Sequence, residues 1–228
     1  MPLLSHCKLA IQIIKIELIR GSGGIRFAVQ HLTVPLFSFV PLSCPPKDFI
    51  FRYRGVGFGT DPDLYNIMSM LNSYTMMIDD FSEGRNVVAA SVLIDHRNTT
   101  QHALLSLPPK TGSSECYRLA ALIYNLLVIF PLPYVAAPFQ RLVTQLKLAL
   151  DEWDNDDGGM LLWVLAMGGI GAIGLGERDW FLLRFKEAAA RTETRSWREA
   201  RQIIKRGLWY EATNDGDGND LWLDSQSI

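Results

Sequence analysis

Cysteine is scarce in this chain. Cys7, Cys44 and Cys116 are its only three, they lie far apart, and none belongs to a C-x-x-C pair. That spacing offers neither a disulfide framework nor a zinc site and is read as free thiols in a reducing compartment. Histidine is equally thin: His6, His31, His96 and His102 have no i,i+3 or i,i+4 partner, so no helix can present the paired imidazoles of a zincin. There is no G-x-S-x-G elbow to single out a serine nucleophile, no internal repeat and no low-complexity linker. An excess of one charge is missing too. Twenty-two Lys and Arg against 24 Asp and Glu leave a net −2, and so weak a field draws the chain to neither nucleic acid nor an anionic membrane.

What is present is apolar. Hydrophobic residues make up 48% of 228, enough for one substantial core or two small ones. The first twenty residues are apolar but broken by Lys8, Lys15 and Glu17, and they are read as no signal peptide. The sequon Asn98-Thr99-Thr100 is then expected to stay unmodified. Two charge-free stretches, 119–140 and 158–176, approach the length of a membrane span. Pro131, Pro133 and Pro138 interrupt the first and glycines the second, so both are expected to be buried core helices. A membrane-associated hairpin of the two is the alternative.

The segment WVLAMGGIGAIGLGERDWF, 163–181, spaces Gly169, Gly171 and Gly174 as G-x-G-x-x-G. A dinucleotide loop needs a helix to start directly after these glycines and aim its amides at a pyrophosphate. Here the next helical start lies near Asp179, and the 54 residues after Gly174 show no alternating strand and helix. The glycines are therefore expected to pack a buried helix and end it.

Helical periodicity dominates after residue 60. Asp61 and Pro62 open a helix through Leu64, Ile67, Met68, Leu71 and Ile78, ending near Gly84. A weaker stretch, NVVAASVLID, leads to a short apolar piece at Leu107. Further helices run from Ser113 or Ser114 to before Pro131, and from Pro138 to Trp153 with Phe139, Leu142, Val143, Leu146 and Leu150 on one face. An apolar helix follows the acidic break 154–158, then one spans Asp179 to Arg191, and Ser196-Trp197-Arg198-Glu199 opens another with capping-box spacing. The expected fold class is all-α: a single irregular helical domain over 60–228, with 1–59 an extended or uncertain N-terminal segment that carries four prolines between Pro35 and Pro46. In the tail, Trp209 and Trp222 are expected to fold back onto the apolar helix 160–173, because exposing them would forfeit about 25 cal/mol per Å². TNDGDGN, 213–219, is expected to be an exposed turn between them.

Candidate chemistry is sparse. Asp79, Asp80 and Glu83 resemble the first acidic metal patch of all-helical, magnesium-dependent terpene synthases, but the second motif fails at Leu223 and Ser227. Asp215, Asp217 and Asn219 begin like an EF-hand loop and fail at Asp220 and Gln226. One local basic region stands out: Arg184, Lys186, Arg191, Arg195, Arg198, Arg201, Lys205 and Arg206 against three Glu. It is read as a solvated helical face, with a phosphate or an acidic partner as the functional alternative. No catalytic, cofactor-binding or metal residue is assigned, and no cofactor is expected.

Five ordered pieces carry a resemblance: HALLSLPP (102–109), ECYRLAALIYNLLVIFPLP (115–133), LLWVLAMGGIGAIGLGERDWF (161–181), SWREARQIIKRGLWY (196–210) and DLWLD (220–224). In order and spacing they resemble the C-terminal helical domain of fungal-specific transcription factors, the regulatory part that follows a zinc binuclear-cluster DNA-binding domain. The resemblance implies a non-catalytic regulatory and interaction domain, nuclear or nucleocytoplasmic. Its partners would be proteins of the transcription machinery or related transcription factors, or a second copy in a homo- or hetero-dimer, with no membrane contact. A zinc binuclear cluster takes six close cysteines, so direct DNA binding is carried over to no residue here.

Overall fold

The computed structural model describes residues 61–85, 89–131 and 138–228, which form eight α-helices and no strand. The expectations for 1–59, and those attached to Cys7, Cys44, His6 and His31, lie outside the described residues.

Helix α1, Pro62–Ser82, starts where the Asp61 side chain accepts the Leu64 N–H at 3.1 Å and Pro62 fills the first turn. Lys110 pairs with Asp61 at 2.8 Å. Burial alone would raise the Asp61 pKa, but the hydrogen bonds from Lys110 and Leu64 outweigh it and hold the carboxyl below its ordinary value.

Helix α2, Ala90–Ser106, differs from the expected weak segment and short apolar piece. It is one continuous helix whose inner stripe is Leu93, Arg97, Thr100, Gln101 and Leu104. That stripe has helical phase, but three of its members are polar, so apolar periodicity alone breaks it up.

Helix α3, Gly112–Tyr124, continues as a π-helical turn, Asn125–Ile129. Its first turn is capped from a distance, because Asp154 accepts the Ser113 N–H at 2.9 Å. Helix α4, Phe139–Ala149, tightens into a 3₁₀ turn at Leu150–Glu152 and buries Phe139, Leu142, Val143, Leu146 and Leu150, the expected face.

Helix α5, Gly158–Gly171, is the hub. The Asp157 carboxylate accepts the N–H groups of Gly159 and Met160 and so caps its start. Almost all of the helix is buried, and α3, α4 and the three helices that follow pack around it. Those are α6 (Arg178–Arg191), α7 (Trp197–Ile204, capped by Ser196 on the Glu199 N–H) and α8 (Glu211–Gln226). No helix among the described residues is long and apolar enough to cross a membrane.

The tail corrects one expectation. TNDGDGN is no turn but lies inside α8. Asn214 is fully buried and accepts the Tyr210 N–H, while Asp215 accepts from the Trp209 indole at 2.8 Å and from Arg201. A Cβ on Gly218 would lie 2.5 Å from the Trp197 ring and 2.8 Å from Trp209. These tertiary contacts outweigh the poor helix propensity of Gly and Asp, about 1 kcal/mol or less per residue. The tail does close on α5, through Gly207 against the Trp163 ring, the Trp163 indole donating to the Leu208 carbonyl at 2.8 Å, and Leu221 over Gly169. Trp222 stands edge-on to Phe185 of α6 and Trp209 lies against Trp197 of α7, so the two tryptophans reach neighbouring helices.

Candidate functional site

The polar interior is concentrated at one end. Ser73 and Thr75 on α1, Arg97, Thr100 and Gln101 on α2, and Asn125 at the head of the π turn are all buried. Thr75 is spoken for: its hydroxyl meets the Tyr124 hydroxyl at 2.8 Å and donates to the Leu71 carbonyl. Arg97, only 1% exposed, donates from Nε and Nη2 to the Asn98 side-chain oxygen at 3.2 and 2.9 Å and sets its guanidinium 4.8 Å over the Phe130 ring. Its Nη1 has no partner, and neither do both polar atoms of Gln101 and both of Asn125. Burial pulls the Arg97 pKa down to about 10. Around it, burial pushes the Tyr74 phenol up to about 12 and lowers the His96 imidazole, which stacks on Tyr74 with centroids 5.8 Å apart.

This cluster was not found from the sequence. The signal available was the 93–97–100–101–104 spacing, which puts a charge and two polar groups in phase with two leucines.

The acidic patch sits at the end of α1 and closes on a neighbouring cation. Arg85 reaches Asp79 at 2.5 Å and Asp80 at 2.9 Å, with Glu83 at 4.0 Å, all about half exposed. Among the described residues no group of three His, Cys, Asp or Glu is placed to hold a metal ion. Asp215, Asp217 and Asn219 lie along α8 rather than around a loop. Cys116 is buried, and burial pushes its thiol up to about 12, far from a nucleophile's range.

Gly169 and Gly171 lie in the last turn of α5, and Gly174, at φ +76°, lies in the turn beyond. A helix C-terminus presents carbonyls and the negative end of the dipole, the wrong polarity for a phosphate. The Gly169 carbonyl is taken by Arg178 Nη1 at 2.6 Å, whose Nη2 binds Asp224 at 2.8 Å.

The basic region spans α6 and α7, and half of it is spent internally. Arg184 pairs with Glu187, Lys186 donates to the Ile228 carbonyl, and Arg201 and Lys205 pair with Glu211, Arg201 also with Asp215. Arg191, Arg195, Arg198 and Arg206 make no ion pair among the described residues. Arg191 also lines a cleft of about 310 Å³ between the 3₁₀ turn, α5 and α6, together with Leu161, Leu165, Ala188 and Asp151.

Comparison with curated proteins and with solved structures gives no match. A family model does match, over residues 63–226, from the first turn of α1 to the last residue of α8. The match covers well over half of the chain, and the chain belongs to the fungal specific transcription factor domain family.

Proposed function

We propose that this chain is a non-catalytic regulatory and interaction domain that acts in transcription, in the nucleus or shuttling between nucleus and cytoplasm. Its partners are proteins of the transcription machinery or related transcription factors. The observation that carries the reading is the family match, which spans the same helices that build the core around α5. Two features support it. The acidic patch is taken up by Arg85, and the α6–α7 face leaves four arginines for contacts outside the chain.

A tethering experiment tests it. The chain is fused to an unrelated DNA-binding domain in a fungal host, with a reporter gene under the matching operator and a fluorescent copy for localisation. The expected result is a severalfold change in reporter output over the DNA-binding domain alone, with nuclear fluorescence. A folded fusion at equal abundance that leaves the reporter unchanged sinks the proposal.

A further inference from the structure

Among the described residues, seven buried side-chain polar atoms lack a hydrogen-bond partner, and five belong to Arg97, Gln101 and Asn125. Buried polar groups in folded proteins are paired with protein or with an ordered molecule, and an orphan calls for one. Arg97 makes the strongest demand. A buried guanidinium without a carboxylate is among the costliest arrangements a core can hold, and no acid pairs with it among the described residues.

The three side chains share one region. Arg97 and Gln101 are one turn apart on the buried face of α2. Asn125 opens the π turn that Phe130 follows, its carbonyl accepting the Phe130 N–H at 2.7 Å, and it is Phe130 that Arg97 leans on.

We propose that Arg97, Gln101 and Asn125 form an enclosed site for a small hydroxycarboxylate, seated between α1, α2 and the π turn. One cation matches one carboxylate, which the free Arg97 Nη1 and the two amide NH₂ groups can bind. The two amide oxygens are also unpartnered and need donors, which ligand hydroxyls supply. A phosphate dianion would leave surplus negative charge beside a single guanidinium. The unpartnered atoms are shut away from solvent, so the occupant is a small molecule enclosed within the fold rather than a side chain of a docking protein.

Calorimetry and thermal melting of the full chain with glycerate test this, using propionate as the hydroxyl-free control and inorganic phosphate as the competing anion. Saturable binding of one glycerate is expected, with a melting midpoint that climbs with its concentration. Propionate and phosphate should each bind about tenfold more weakly or worse, the scale of one charge-assisted or several neutral hydrogen bonds. Arg97→Met and Gln101→Leu, checked for folding by circular dichroism, should each cost at least about tenfold in glycerate affinity. If Arg97→Met does not fold, Gln101→Leu decides. No saturable binding by the folded chain overturns the proposal and leaves water as the occupant. Equal binding of propionate overturns the role of the amide oxygens, tighter phosphate overturns the carboxylate, and undiminished binding in the folded variants puts the site elsewhere. Binding is read on the isolated chain, so its failure leaves the transcriptional reading standing, and a silent reporter leaves the binding site standing.

Discussion

Replacing Gly168 by alanine adds a single methyl in the last turn of α5, and the structure says where it goes. The new Cβ would sit 2.2, 2.6 and 2.8 Å from three atoms of the Phe181 ring, where carbon atoms prefer roughly 3.5–4.0 Å. Phe181 is fully buried and held edge-on by Trp180 at 4.9 Å, so its ring must move by about 1 Å within a filled core. Overpacking of this kind costs about 1–3 kcal/mol, and the upper end applies because the obstacle is a rigid ring. Alanine returns about 1 kcal/mol of helix propensity, leaving a net loss of about 2 kcal/mol. For a chain of this length that is about 4–8 °C in melting midpoint. Thermal and urea unfolding of Gly168→Ala measure it, and Phe181→Leu in the same background should recover part of the loss as a non-additive term of about 1 kcal/mol. Gly174 is the control. Nothing lies within 4 Å of its added Cβ, but its φ is +76°, so Gly174→Ala should lose about 1–2 kcal/mol through the left-handed backbone, and Gly174→Asn less. If Gly168→Ala melts at or above the parent, the glycine is not there for packing, and the reasoning fails.

Removal of residues 208–228 takes away Leu221, fully buried over Gly169, together with Trp222 and the acceptor of the Trp163 indole. The expected product is insoluble or aggregation-prone, since α5 loses its cover, and a soluble truncation that melts like the parent would refute that. The half-buried His96 gives a pH signature: its pKa is lowered from 6.5 by desolvation, so the unfolded chain binds the proton first. Stability is full above that value and declines as pH falls below it towards the folded pKa. Melting midpoints should drop as pH falls below 6.5, and His96→Phe should flatten that part of the slope, whereas an identical slope in the variant removes His96 as the cause.

Local rules made much of this architecture legible. Asp61-Pro62, Ser196 with Glu199, and the Phe139–Leu150 stripe are encoded by caps and apolar phase, signals carried within about one or two helical turns. The all-helical class follows from such signals, and the family from the resemblance of the five ordered pieces. The candidate site did not. Arg97, Gln101 and Asn125 carry no local mark of a site, because burying a charge or an amide is unfavourable unless the rest of the fold supplies the reason. Neither could the sequence show Arg85 folding back on Asp79 and Asp80, a contact across a helix end.

The same division runs through the tail. The sequence by itself determined that its aromatic residues had to be buried, since apolar area carries its transfer free energy wherever it lies in the chain. Only the tertiary structure decided that 213–219 is helix. Gly216 and Gly218 favour a turn by propensity, but the Trp197 and Trp209 rings occupy the space where a Gly218 side chain would be, and Asp215 joins Arg201 to the Trp209 indole. Local preferences amount to about 1 kcal/mol per residue or less, and contacts between helices distant in sequence outweigh them once α5 brings those helices together.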